Sequence, residues 1–431
     1  MATIEELAGA VGDPAELEWV EFRRPAPAAE GDAVAQLKED LSSLPASAMP
    51  AGSRVAVAVG SRGIARLADV VSVVVAYLRA CGAEPVIIPA MGSHGGATPD
   101  GQVKVLHALG VTEDLVGAPI EASMEVEQVG RLSSGQGLYT SKAALGCDSV
   151  VLVNRIKPHT EFRAPIESGL TKMLTVGLGK DRGASSLHGA GFDNFRSVLP
   201  EAAGLVLARL PVPFGVALLE DSWHRLVRAK VVTGDNLLAG ERALLTEAWS
   251  YFGRLPFESV EVLIVREMGK AISGTGMDPN VTGRFPEHKL GPATDVQRLV
   301  VLDLADGSSG NAVGMGMADI VTERLRSKVD WAATYANVRA SKALANARLP
   351  VVVNSDHEAL AVALHSLTGD NTLAPRVAAV RNTLEVNHFA VSPALGAEAE
   401  RAGFSQVDEA LRAEFGPQGQ LLRIGGLDFL V

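Results

Sequence analysis

From Asn154 to His188 the sequence reads NRIKPHTEFRAPIESGLTKMLTVGLGKDRGASSLH. It places His159, His188 and five other basic residues around Lys172. Another histidine, His94, lies upstream in the glycine-rich run Met91-Gly92-Ser93-His94-Gly95-Gly96. Histidine, with an ordinary pKa of about 6.5, can both take and give a proton near neutrality. Two histidines on opposite sides of one carbon suit a reaction that treats both faces alike. A third, as the neutral ring, can ligate nickel, copper or zinc. A buried lysine among them suits nucleophilic attack on a carbonyl. The plain alternative is a polar, glycine-rich loop over a sheet edge, because loops carry function often but not always.

Other chemistries drop out on spacing. Gly177-Leu178-Gly179-Lys180 resembles the end of a phosphate-binding loop, but Leu174 stands where the first glycine belongs and Asp181 where Ser or Thr would meet magnesium. No GxGxxG opens a helix after the first strand, and HExxH, GxSxG and calcium-loop patterns are missing. Cys81 and Cys147 form neither a disulfide framework nor a metal-ligand spacing.

The elements that must position these residues follow from periodicity. An aliphatic run at 54–59 predicts a strand ending in Gly60-Ser61-Arg62-Gly63, followed by a helix over 65–80 closed by Cys81-Gly82. A second strand at 84–89 runs into the His94 loop, and Thr98-Pro99 reads as the cap and first residue of the next helix. Residues 149–153 form another strand, from whose carboxyl end the Lys172 stretch departs. Open α/β sheets bind ligands at that edge. Arg62 and His94 then lie on one edge, and neighbouring strands about 4.8 Å apart would let both reach one ligand. An antiparallel excursion is expected within 120–144, a helix over 192–210, strands at 214–219 and 227–232, and a helix over 236–252 capped by Asp235.

At 431 residues the chain predicts two to three domains, and its 47% hydrophobic and 5% aromatic content fits aliphatic parallel-sheet packing. The break is expected near Gly253-Arg254-Leu255-Pro256. That gives an N-terminal α/β domain over 1–255 and a C-terminal α/β domain over 256–414, with a tail at 415–431 returning to the first. In the second domain strands are expected at 260–265, 298–304 and 350–353. Helices are expected from about 310 through Arg326 (capped by Asn311 or the Ser308-Ser309 pair), over 332–345 and over 356–367. Residues 1–50 read as loops around one short helix. The net charge of −11 and pI near 5.4 argue against nucleic acid or anionic membrane as partner. The N-terminal residues show no secretory pattern and no apolar run spans a membrane, so a cytoplasmic location is expected.

The order of these residues resembles the nickel-pincer lactate racemases. The similarity rests on an arginine at the first strand end, His94 in a glycine-rich loop, Lys-Pro-His159, Ser-Gly-x-x-Lys172 and His188. It implies two α/β domains with mostly parallel sheets and the active site in the cleft between them. It implies the nickel-pincer nucleotide, a pyridinium-3-thioamide-5-thiocarboxylic acid mononucleotide, joined to Lys172 by a thioamide. Nickel would be held by sulfur, carbon and sulfur of that group and by His188. His94 and His159 become the acid/base pair, and Arg62 holds an anion, either cofactor phosphate or substrate carboxylate. The implied activity is racemisation or epimerisation of a 2-hydroxy acid through a planar 2-keto acid, with the α-hydride carried by the cofactor. Implied partners are the small-molecule acid and cofactor-maturation proteins; the size and acidic surface are compatible with a homodimer, though no segment marks an interface.

Compared with the family's founding enzyme, the segment from His159 to Lys172 is longer and carries Glu161, Arg163 and Glu167. Arg163 facing the substrate would select a larger or more anionic acid, and Lys180 is the reserve attachment site. Lys270, just after a strand of the second domain, is a substrate-binding candidate. Two rival classes stay open: a metal- or lysine-dependent lyase or aldolase, and a non-catalytic binder of nickel or carboxylates.

Overall fold

The computed structural model describes residues 13–28, 31–45, 50–61, 63–191, 194–285, 290, 293–368 and 374–429. They fall into two compact units, one of residues 28–252 and one of residues 1–27 with 253–431. Strand β1 (Trp19–Arg23) belongs to the latter.

The 28–252 unit opens with helix α1 (Ala33–Ser42), whose cap Asp32 accepts the Val34 N–H at 2.9 Å. Strand β2 (Arg54–Val59), helix α2 (Leu67–Ala80), strand β3 (Glu84–Pro89) and helix α3 (Pro99–Ala108) follow. Thr98 caps α3 as its sequence predicts, its hydroxyl accepting the Gly101 N–H at 3.1 Å. The antiparallel excursion is the hairpin of β4 (Val126–Arg131) and β5 (Gly137–Ser141). Strands β6 (Ser149–Arg155), β7 (Phe214–Glu220) and β8 (Leu226–Thr233) complete a five-stranded sheet in the order β3-β2-β6-β7-β8. All its neighbours are parallel except β7 and β8. From β2 the chain crosses to β3 on one side and later to β6 on the other. The carboxyl ends of β2 and β6 therefore flank the switch point where such sheets open a crevice.

In the central strands both faces are buried, which is why 55–59 and 150–153 are aliphatic throughout. Val55, Val57, Val59, Val151 and Val153 pack into one core with α1 and α2. Ala56, Ala58, Val150 and Leu152 pack into the other with Leu170, Met173, Leu174 and Phe195. That second face carries the Lys172 stretch. A short helix, Leu170–Lys172, passes into a π turn at Met173–Gly177, where the Leu178 N–H reaches the Met173 carbonyl. Helix α4 (Lys180–His188) comes next, then α5 (Phe195–Leu207) and α6 (Leu237–Tyr251). Asp235 does not cap α6. It lies in a single helical turn at Gly234–Asn236, and Asn236 holds the cap position.

The other unit holds an eight-stranded sheet, ordered β12-β11-β10-β9-β13-β14-β1-β15. Its members are β9 (Ser259–Met268), β10 (Asp295–Leu304), β11 (Ile320–Thr322), β12 (Val351–Val353), β13 (Val377–Val380), β14 (His388–Val391) and β15 (Ser405–Leu411), with β1. The run from β12 to β13 is parallel, and β14, β1 and β15 add antiparallel strands. The fold is α/β with mostly parallel sheets, as expected.

Three expectations are corrected. Residues 19–23 are not a loop of the first unit but a strand paired with β14 and β15. The helix expected from 310 is a short one at Glu323–Ser327, capped by Thr322 rather than Asn311, Ser308 or Ser309, because β11 intervenes. The tail does not return to the 28–252 unit. Its strands β17 (Leu421–Ile424) and β18 (Leu427–Asp428) pair with β16 (Ala413–Phe415) inside the other unit. No helix among the described residues is long and apolar enough to cross a membrane.

Candidate functional site

The chain leaves β6 at Arg155 and closes a loop whose ends are tied by the Lys157 N–H to Ser168 carbonyl bond, 2.9 Å. Glu167, 2% exposed, turns its carboxylate inward and accepts the N–H groups of His159 at 2.6 Å and Ala164 at 3.2 Å. Arg163 donates to the carbonyls of His159 at 2.6 Å and Phe162 at 3.0 Å and lies 5.0 Å from the Trp249 ring. The two hydrogen bonds are internal to the loop and the ring contact ties it to α6, so Arg163 fixes the shape of the segment that presents His159.

The His159 ring is held from both sides. Its Nδ1 accepts the backbone N–H of Glu161 at 3.0 Å, and its Nε2 lies 2.5 Å from Lys172 Nζ. That contact pairs the ring with the lysine amine, one of the two giving the hydrogen and the other receiving it. A free-base amine is the form that attacks carbonyl or acyl carbon. Burial, with the neighbouring cations Lys172 and Lys157 adding to it, holds the His159 pKa well below the usual histidine range.

His188 ends α4 on the same side. Burial foremost, then the Lys172 charge, lowers its pKa to about 4, so its imidazole is neutral at pH 7. Phe195 stacks on His188 (5.9 Å, 18°), and Phe162 packs edge-on to Phe195 (5.2 Å) and against His159 (4.3 Å). Lys172 Nζ stands 5.6 Å from the Phe162 ring. His159, Lys172 and His188 are thus gathered around an aromatic wall of Phe162 and Phe195.

The start of the Lys172 helix is set from behind. Glu241 of α6, fully buried, accepts the Thr171 N–H at 2.7 Å and the Thr171 hydroxyl at 2.6 Å. Its second oxygen, Oε1, has no hydrogen-bond partner, and burial raises its pKa to about 7. A Cβ on Gly169 would fall 2.1 Å from Oε1, so the close approach requires glycine there. Asn154 Nδ2 secures the Gly169 carbonyl at 2.8 Å.

His94 stands in the loop after β3, and its Nδ1 hydrogen-bonds Ser61 Oγ of the loop after β2. With Nδ1 so engaged, proton transfer to a substrate falls to Nε2. The base of this loop is latched to the π turn, since the Gly92 N–H donates to the Gly177 carbonyl at 3.0 Å. Arg62 lies outside the described residues. Lys180, the reserve attachment residue, is fully buried, and its amine donates to the Pro89 carbonyl at 2.5 Å and Gln102 Oε1 at 3.0 Å. Lys270 belongs to the other unit, where its amine donates to the Gly274 carbonyl at 2.7 Å and to Asn337 Oδ1 at 3.3 Å.

Sequence reading missed Ser61, Phe162, Phe195, Glu167 and Glu241. Ser61 and Glu167 flank or lie within motifs already singled out. Nothing local marks Glu241, which reads as a polar position of an ordinary helix.

An α/β unit that collects histidines and a lysine at the carboxyl edge of its strands, beside the switch point, is of the doubly wound class, whose ligands bind at that edge. Residues 28–194 match the lactate racemase N-terminal domain family model. Over those residues the chain is similar to the lactate racemases. Among solved structures it is similar in fold to the lactate racemase apoprotein from Thermoanaerobacterium thermosaccharolyticum, with TM-score 0.50, 14% identity and coverage of 85% of this chain and 88% of that one. A protein from Thermotoga maritima matches at TM-score 0.47 and 14% identity, over 63% and 71% of the two chains. No curated protein matches the chain.

Proposed function

We propose that this protein is a racemase or epimerase of a 2-hydroxy acid, working with a nickel-pincer nucleotide joined to Lys172. The observation that carries the reading is the contact of His159 Nε2 with Lys172 Nζ beside a neutral His188.

The residues present suit such a group. Among the described residues no cluster of three or more His, Cys, Asp or Glu side chains could hold a metal ion. The donor set instead offers one neutral imidazole beside one amine. That matches a metal that arrives with its other ligands already supplied by an organic group. Lys172 would anchor the group, His188 would give the metal its protein ligand, and the Phe162–Phe195 wall offers apolar faces to a planar ring. When bound, the group supplies a hydride acceptor.

The chain's own residues do the rest. His159 Nε2 and His94 Nε2 exchange the hydroxyl proton of the substrate, one for each enantiomer, and general acid–base help of this kind is worth about 10²–10⁴-fold. Glu167 holds the His159 backbone and the Glu161 N–H its ring, and Ser61 holds His94. Arg62 takes an anionic group of cofactor or substrate. Proteins that make and attach the nucleotide are the implied partners.

One observation also suits a second reading. A free-base Lys172 could form a Schiff base with a carbonyl substrate, as in an aldolase. Borohydride trapping separates the two. The test of the proposal is chiral chromatography of a panel of 2-hydroxy acids incubated with protein produced alongside the cofactor-making machinery. Interconversion of stereoisomers by the wild type and not by Lys172→Ala supports it. Protein from that host that interconverts no member of the panel, yet is trapped by borohydride on an unmodified Lys172, overturns it.

A further inference from the structure

Lys180 is a lysine with no exposed surface, and its backbone is left-handed at φ 55°. Both features are costly for a lysine. It sits eight residues after Lys172 and eight before His188, at the junction of the π turn and α4. Its amine donates to the carbonyl of Pro89, the last residue of β3, and to Oε1 of Gln102 in α3. Gln102, also fully buried, points its amide nitrogen at the carbonyls of Gly92 (2.9 Å) and His94 (3.4 Å). The chain of contacts runs from the Lys172–His188 segment, through two side chains, to the backbone of His94.

The same loop is seated tightly on α3. A Cβ on Gly101 would fall 1.8 Å from the Gly95 carbonyl oxygen, and one on Gly95 would fall 2.5 Å from the Gly101 carbonyl carbon. With the Gly92 to Gly177 backbone bond, the loop is bound on two sides. The side chains of Lys180 and Gln102 join the last residue of β3 to the residues around His94.

We propose that Lys180 and Gln102 form a positioning pair that sets the His94 loop against the segment carrying Lys172 and His188. Lys180 is then neither an attachment site nor a substrate group: its amine is consumed by two acceptors and sealed from acyl donors. Burial, which lowers its pKa to about 8, agrees with an amine closed off from water. The inference rests on the reading of His94 as an acid/base residue, but it concerns only where that residue is held.

The experiment uses the full chain without cofactor, so its failure leaves the reading of Lys172 untouched. Brief acetylation followed by peptide mass spectrometry reads the wild type first. Lys180 should label at least about tenfold more slowly than Lys142, which is 54% exposed. Equal labelling overturns the proposal before any variant is made. Gln102→Leu and Gln102→Glu then remove the amide hydrogens that reach Gly92 and His94, while the glutamate keeps an acceptor for Lys180. Carbethoxylation of His94, followed on its own peptide, should change about fivefold or more in each folded variant. His159 and His188 in the same molecules should stay within about twofold of wild type. An unchanged His94, or an equal change at all three histidines, means that the pair only supports the domain and overturns the positioning role. If Gln102→Leu does not fold, Gln102→Glu and the wild-type labelling decide the matter alone.

Discussion

His159 Nε2 and Lys172 Nζ meet at 2.5 Å, although thirteen residues and a closed loop separate them in the chain. The Glu161 N–H on Nδ1 fixes the ring so that Nε2 faces the amine. Once acylated by a cofactor, the Lys172 nitrogen is no longer a basic amine. His159 of the loaded protein would then direct Nε2 to a substrate instead.

His159→Ala and His94→Ala should each lower turnover at least about 100-fold while the cofactor mass stays on Lys172. Ser61→Ala removes only the group that orients His94, and should lower kcat about tenfold with KM little changed. Steady-state kinetics on each variant, with intact mass recorded in parallel, checks both statements. Loss of the added mass in His159→Ala would assign that residue to loading rather than to proton transfer.

Glu241 makes stability depend on pH in a defined direction. Its pKa is about 7 in the folded chain against an ordinary 4.5. Between those values the folded state keeps a proton that the unfolded state has released. Its contribution is therefore complete below about pH 4.5 and is lost as pH rises towards 7. Glu241→Gln removes this dependence. Relative to wild type, the variant should gain roughly 2–3 kcal/mol between pH 5 and pH 8. Urea unfolding at the two pH values measures it, and parallel curves for the two proteins would refute the assignment.

Gly169→Ala should destabilise the 28–252 unit by about 1–3 kcal/mol, since the new methyl would fall 2.1 Å from Glu241 Oε1 and 3.0 Å from Ile156 Cγ1. The double variant Gly169→Ala/Glu241→Ala should recover part of the loss, which a double-mutant cycle on urea midpoints detects.

Glu167→Ala should cost about 1–3 kcal/mol, because it leaves the buried N–H groups of His159 and Ala164 without their acceptor. The effect should centre on the loop. Limited proteolysis should cut within 157–168 faster in the variant, and kcat should fall more than KM rises.

Much of the site was legible because parallel strands advertise their ends. Largely aliphatic runs such as 54–59 and 84–89 stop at glycine-rich loops, so Arg62 and His94 are placed on one edge before any contact is known, whereas Ser61 is picked out only by its bond to His94. What the sequence does not carry is long-range pairing. Glu241 lies seventy residues from Thr171, and Gln102 seventy-eight from Lys180, and no periodicity links such partners. In the other unit β11, β13 and β14 have only three or four residues each. β15 is exposed along nearly its whole length, so no apolar alternation marks it as a strand. Strand β1 escapes sequence reading for a related reason: its partners are more than 360 residues away, among them Phe389 opposite Phe22.

The most direct test of the central claim is peptide and intact mass, with nickel content, on protein made alongside the machinery that builds the pincer nucleotide. The account predicts added mass on the peptide containing Lys172, near-stoichiometric nickel, and loss of both in Lys172→Ala. An unmodified Lys172 from a host shown to load a lactate racemase would contradict it, as would added mass on Lys180.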